Sequence, residues 1–282
     1  MQRVRFVAAV SAVLLGLAVS AIADEKADEA IKQLDQQFAK IKSYTAKSES
    51  MMDVEFAPDH TQKTKLAGTL EWMRDGEKVR MRSEAKADTA TTEGGKTTKK
   101  VSTHTTVSDG EFLWVLTVDG DQKTVLKNRA PTAQDSRPSA VFAQLGSYYD
   151  ITLLPDAQVN GADCYVFEMK MKPMEGMPPS GRQLVYYQKD NGLSVKSEGY
   201  DAGGKLTASS VTSDIKLNPD ISSARFKFEV PEGAQVSDMT STQQPQAQPE
   251  QPKEEEKEKE QEPQKEKEKE KGPKLPKWPK RP

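Results

Sequence analysis

The chain has 282 residues, with 41 Lys and Arg against 43 Asp and Glu, two His, and Cys164 as its single cysteine. That inventory excludes an intrachain disulfide and a multi-cysteine zinc site, and it argues against a histidine-rich metal centre. A net charge of −2 leaves no global pull on nucleic acid, so neither a nucleic-acid partner nor a cofactor is expected.

Three compositions follow one another along the chain, at 1–23, 24–239 and 240–282. Arg3 and Arg5 precede an apolar run from Phe6 to Val19, then Ala21-Ile22-Ala23 and the polar Asp24-Glu25-Lys26. A basic start, a short hydrophobic stretch and an A-x-A site make a secretory signal peptide, cleaved after Ala23. The run is shorter than the ~20 apolar residues that span a bilayer, so the mature chain is expected to be exported, soluble and periplasmic. At the other end, 240–282 is built from Glu, Lys, Pro and Gln, with Leu275 and Trp278 as its only large apolar residues. It cannot bury enough surface to offset an ordering entropy of ~1–2 kcal/mol per residue and reads as a disordered tail. Its basic end, 274–282, is a candidate for weak contact with an anionic surface.

Between these ends, Ile31, Leu34, Phe38 and Ile41 form one stripe of an amphipathic helix over 25–42. Beyond Ser43 the period changes to two. Alternation marks strands at Tyr44–Phe56, Leu66–Trp72 and Val79–Met81. A polar loop of Thr, Gly and Lys follows, then strands at Val101–Val107, Phe112–Val118 and Lys123–Leu126. Pro138 opens two helical turns over 139–146 that display Val141, Phe142 and Leu145. Strands resume at Ile151–Leu154, Cys164–Met171, Gln183–Gln188, Leu193–Tyr200 and Lys205–Leu217, and Phe226, Phe228 and Val230 close the domain. Asp-Gly and Asn-Gly pairs at 109–110, 119–120, 160–161 and 191–192 supply turns, because glycine accepts the positive φ of primed hairpins. The fold class is mainly β: an open, antiparallel half-barrel of about ten strands, covered by the N-terminal helix and the mid-chain insert.

Several strands are apolar on both faces, as at Tyr165/Phe167/Met169/Met171 against Cys164/Val166, and such strands need two covers. The order of pieces resembles the LolA/LolB-like superfamily of lipoprotein carriers. The residues that carry the resemblance are Leu34–Tyr44, Gly68-Thr69-Leu70-Glu71-Trp72 and Ser108-Asp109-Gly110-Glu111-Phe112-Leu113-Trp114. To these add Asp190-Asn191-Gly192-Leu193, Tyr200-Asp201, Gly204-Lys205 and the run from Phe226 to Asp238. The resemblance implies a half-barrel lidded by helices that holds acyl chains without catalysis and passes lipoproteins towards the outer membrane between membrane-bound donor and acceptor proteins. The Lys/Glu/Pro tail and the loop at 172–182 are not part of that pattern.

Physical chemistry makes the same demand independently. A methylene gains about 0.8 kcal/mol on burial, so carrying a long chain through water requires an apolar enclosure. Candidate lining residues are Leu70, Trp72, Met81, Trp114, Phe142, Phe167, Met169, Met171 and Tyr187, whose aromatic and thioether side chains tolerate variable chain shape. The expected protein is a monomeric, non-enzymatic carrier; the alternative is an envelope interaction module or lipid sensor with a packed barrel. Met169, Met171, Met174 and Met177 make a weak Cu(I) signal. Cys164 has no nearby histidine to activate it, Glu168 and Glu198 are not brought together by any motif, and Glu93-Gly94-Gly95-Lys96 lacks P-loop spacing.

Overall fold

The structure is a computed structural model that describes residues 25–173 and 181–240. The signal peptide, the tail with its 274–282 end, and Met174 and Met177 lie outside the described residues. Residues 25–38 form helix α1. It ends three residues before its apolar stripe does, and Ile41 is buried in the turn that follows.

Among the described residues, twelve strands make one sheet. In chain order they are β1 (Ser43–Ala57), β2 (His60–Asp75), β3 (Lys78–Glu93), β4 (Lys96–Ser108), β5 (Phe112–Asp119), β6 (Gln122–Arg129), β7 (Tyr149–Val159), β8 (Ala162–Met171), β9 (Arg182–Gln188), β10 (Ser194–Tyr200), β11 (Leu206–Leu217) and β12 (Gln235–Asp238). Helix α2 (Pro138–Gly146) lies between β6 and β7. The spatial order is β12-β6-β5-β4-β3-β2-β1-β11-β10-β9-β8-β7, open at both edges. Every neighbouring pair is antiparallel except β12, which joins β6 in parallel. The half-barrel with two helical covers therefore stands as expected from the periodicity.

The strand boundaries differ from those the alternation marks in two places. Residues 82–100, read as largely polar loop, are the facing halves of the long β3–β4 hairpin, paired from Met81↔Ser108 to Glu93↔Lys96. Threonine suits a pleated surface, and here Thr89 meets Thr64 at 3.2 Å and Thr92 meets Thr97 at 2.9 Å. The Gly94-Gly95 turn has φ of +53° and +77°. The second difference concerns 226–230, which pair with no strand. A single 3₁₀ turn (Ser223–Phe226) leads into an extended strap, and the closing strand is β12.

Register assigns the faces. Tyr44 pairs Trp72, Trp72 pairs Met81, Met81 pairs Ser108 and Ser108 pairs Leu113, so these residues share one face. Both helices cover that face. Ala27, Ala30 and Leu34 of α1 and Phe142 of α2 pack on Phe167, Met169, Val185 and Tyr187. Further along, Phe38 and Ile41 meet Trp72, Val79 and Leu193. Gly192 permits the close approach of α1, since its φ is +75° and a Cβ there would stand 2.4 Å from the Leu34 carbonyl oxygen. The strap crosses the opposite face. Arg225 Nε reaches Glu71 Oε2 of β2 at 3.0 Å, and Phe228 stacks on Trp114 of β5 with centroids 5.3 Å apart.

Candidate functional site

The apolar site is a cavity of about 240 Å³ between α1, α2 and the middle of the sheet, walled by Phe38, Tyr44, Leu70, Trp72, Val141, Tyr187 and Leu193, with Ser136, Ser194 and Thr212 as polar members. Strand alternation points Tyr44, Leu70 and Trp72 to one side, and the helical stripe brings Phe38 over them. Tyr44 stacks on Trp72 at 5.4 Å and Phe38 lies tilted against it at 5.5 Å. Burial pushes the hydroxyls of Tyr44 and Tyr187 up to about 12, so both stay neutral and present apolar rings at ordinary pH. Two larger hollows, of about 500 and 610 Å³, are lined by charged groups such as Glu49, Lys65 and Asp88 in one and Lys47, Glu71, Asp214 and Arg225 in the other. Size alone would favour them; an apolar chain would not.

Of the nine residues read as lining, Leu70, Trp72 and Tyr187 border this cavity. Met81 packs beside Trp72 in the adjoining core. Phe142, Phe167 and Met169 lie in the core beneath the helices, with Phe142 4.5 Å from Phe167 and 5.4 Å from Tyr187. Met171 stands opposite Tyr149 at the far end of β8. Trp114 is on the other face, under Phe228, with its indole N–H donating to Asp109 at 3.4 Å. Phe38, Tyr44, Val141 and Leu193 line the cavity without having been singled out. Their apolar periodicity was visible, but nothing local in it distinguishes a cavity wall from a packed core.

Helix α2 is the shorter of the two helical walls. It has nine residues, Arg137 at its N-cap makes no side-chain capping bond, and Pro138 follows. Its capping carboxylate comes from α1: Asp35 accepts from the Ser139 N–H at 2.9 Å and from its hydroxyl at 2.5 Å. Arg74, at the end of β2, donates to the Ala39 and Phe38 carbonyl oxygens at 3.4 and 3.5 Å, and its guanidinium lies 5.4 Å from the Phe38 ring and 5.6 Å from the Trp72 ring.

Other chemistry is weak. Cys164 is fully buried beside Val159 and Val195, and burial pushes its thiol up, away from the reactive thiolate. Glu168 and Glu198 do share a face, flanking Leu184 across two strand spacings, roughly 10 Å apart. Hydrogen bonds from Lys170 and Arg182 hold Glu168 low against its burial. Burial opposes the same fall in Glu198, but Lys196 and Tyr186 outweigh it. Both therefore remain ionised and neither is poised as a general acid. Among the described residues, no group of three or more His, Cys, Asp and Glu is placed to hold a metal ion. No helix among them is long and apolar enough to cross a membrane.

Known structures match this fold at low identity. The MucA/MucB complex of Pseudomonas aeruginosa matches with 13% identity and a TM-score of 0.39, over 72% of this chain and 61% of that one. A LolA superfamily protein from Nitrosomonas europaea matches with 16% identity and a TM-score of 0.27, over 71% of this chain and 97% of that one. The lipoprotein LppX of Mycobacterium tuberculosis matches with 11% identity and a TM-score of 0.31, over 68% and 96%. The chain thus spans about three fifths of the matched chain in the MucA/MucB complex. The LolA-like family that the sequence motifs resemble is represented among these matches, which are likenesses of fold. No family model and no curated protein matches the sequence.

Proposed function

We propose that this is an exported, non-enzymatic envelope protein that takes the acyl chain of a lipid or lipoprotein into the cavity beneath α2 and carries it through the periplasm between membrane-associated partners. The observation that supports this most is the aromatic-lined cavity closed by a short helix. At about 240 Å³ it is smaller than the ~300–1,000 Å³ typical of pockets that enclose drug-sized ligands. It therefore accepts one chain end as it stands, and α2 lifts to admit more. A soluble carrier needs such a wall, since each methylene withdrawn from a bilayer must find about 0.8 kcal/mol elsewhere and then be released.

The test is native mass spectrometry and lipid extraction on protein expressed in a Gram-negative periplasm, with uptake of a fluorescent fatty acid measured beside it. Co-purified acyl lipid is expected, together with an uptake that falls roughly tenfold or more in Val141→Trp, where the indole fills the hollow. An apo mass with no uptake overturns the carrier and favours an envelope interaction module with a closed core. Uptake unchanged in Val141→Trp places any bound chain elsewhere.

A further inference from the structure

Beside the apolar cavity lies a second hollow of about 330 Å³, walled by Arg74, Gly76, Glu77, Thr132, Ala133 and Arg137. The two hollows share a boundary. Ser136 and Pro138 face the apolar one while Arg137, between them, faces the other. Arg74 spans the same boundary, since its guanidinium lies within 6 Å of the Phe38 and Trp72 rings that wall the apolar cavity.

The charge of this second hollow is unusual for the molecule. Among the described residues, Arg80, Arg82, Arg182 and Arg225 each have a carboxylate partner, whereas Arg74, Arg129 and Arg137 have none within 4.0 Å, and of these three Arg74 and Arg137 line one hollow. The buried Nε of Arg74 has no hydrogen-bond partner, although a buried donor left unmatched costs ~1–3 kcal/mol. Burial lowers the basicity of Arg74, and the nearby charge of Arg137 lowers it further. Two candidate counter-ions stand nearby. Asp135 is occupied by the Thr132 N–H and hydroxyl at 2.9 and 2.7 Å, and Glu77 faces the hollow without reaching either guanidinium. A repelling pair of arginines with an idle donor is an arrangement that an incoming anion completes.

We propose that the Arg74–Arg137 hollow receives the anionic head, phosphate or carboxylate, of an amphiphile whose apolar end enters the neighbouring cavity. Guanidinium forks match either oxyanion bidentately, and the shared boundary puts head and chain on one molecule. The proposal rests on the acyl-chain reading above and narrows its cargo to anionic amphiphiles.

The experiment compares decyl phosphate with decanol, both kept below the concentration at which they aggregate, on the full chain and on Arg137→Gln; inorganic phosphate is titrated alone. Decyl phosphate is expected to bind roughly tenfold or more tighter than decanol, as charge-assisted bonds to a paired guanidinium imply. In R137Q that ratio falls to about threefold or less, with decanol affinity unchanged. Equal binding of the two ligands by the natural chain, or an undiminished ratio in R137Q, overturns the head site and leaves the apolar cavity standing. If neither amphiphile binds, the acyl-chain reading falls; inorganic phosphate that binds and is lost in R137Q then marks a free-anion site, and phosphate that fails to bind overturns the arginine pocket itself.

Discussion

One sheet is covered twice here, and the two covers behave differently. On one face the strap lies flat. Phe226 is 1% exposed, Val107 and Val125 of the strands carry no exposed surface, and Phe228 stacks directly on Trp114. On the other face two helices stand off the strands at the distance their side chains impose. They pack closely over Phe167 and Met169 but leave the 240 Å³ hollow where α1 and α2 diverge above Leu70 and Thr212. An extended segment without secondary structure can follow a twisted sheet residue by residue. A rigid cylinder cannot, and the mismatch is where a ligand fits.

Two truncations test that difference most strongly. Phe226→Ala removes a ring from the packed face and is expected to cost about 3–5 kcal/mol, whereas Leu70→Ala widens a hollow already present and costs about 1–2 kcal/mol. Urea unfolding of both variants measures this. Equal losses would mean that the helix-covered face is as solid as the strapped one.

Alkaline pH probes the helix-covered face through Tyr44 and Tyr187. Their hydroxyls are raised in the folded chain to about 12, above ~10 in the unfolded chain. The stability they represent is complete below pH 10 and disappears as pH rises towards 12, on the order of 2–3 kcal/mol for each ring. The double variant Tyr44→Phe/Tyr187→Phe is therefore expected to resist unfolding at pH 11 better than the natural chain, and tyrosinate absorbance should lose part of its late phase. A double variant as alkali-sensitive as the natural chain would show that these rings do not guard the cavity.

How far the sequence reaches depends on whether a feature is periodic. The α1 stripe through Leu34 and Phe38 and the Phe167/Met169 face of β8 are local patterns, and both fall under the helices. Trp114 is different. β5 is apolar on both sides, so only register inherited strand by strand from β1 to β5 places it under the strap. The alternation of Phe226 with Phe228 correctly marks a face that is covered, yet no pattern tells a paired strand from an unpaired strap. Threonines from Thr89 to Thr98 resemble loop composition until a facing strand of the same kind is supplied. Arg74 and Arg137 meet only through the tertiary fold, and lone arginines have no period to betray them.

The smallest expected effect bears on how the hollow opens. A nine-residue helix is too short to persist alone in water, so α2 depends on what holds its ends. Its first turn is tied to α1 by the Ser139–Asp35 pair, the one capping carboxylate it has, and that carboxylate belongs to another element. Ser139→Ala keeps the backbone bond and removes the hydroxyl one, a loss of about 1 kcal/mol. Amide exchange in α2 should then quicken roughly fivefold while the strap and β5–β6 stay as protected as before. Fatty-acid uptake should quicken with it, because lifting α2 costs less. Faster exchange spread equally over both faces would mean that the molecule loosens as a whole, and α2 would have no claim to be the gate.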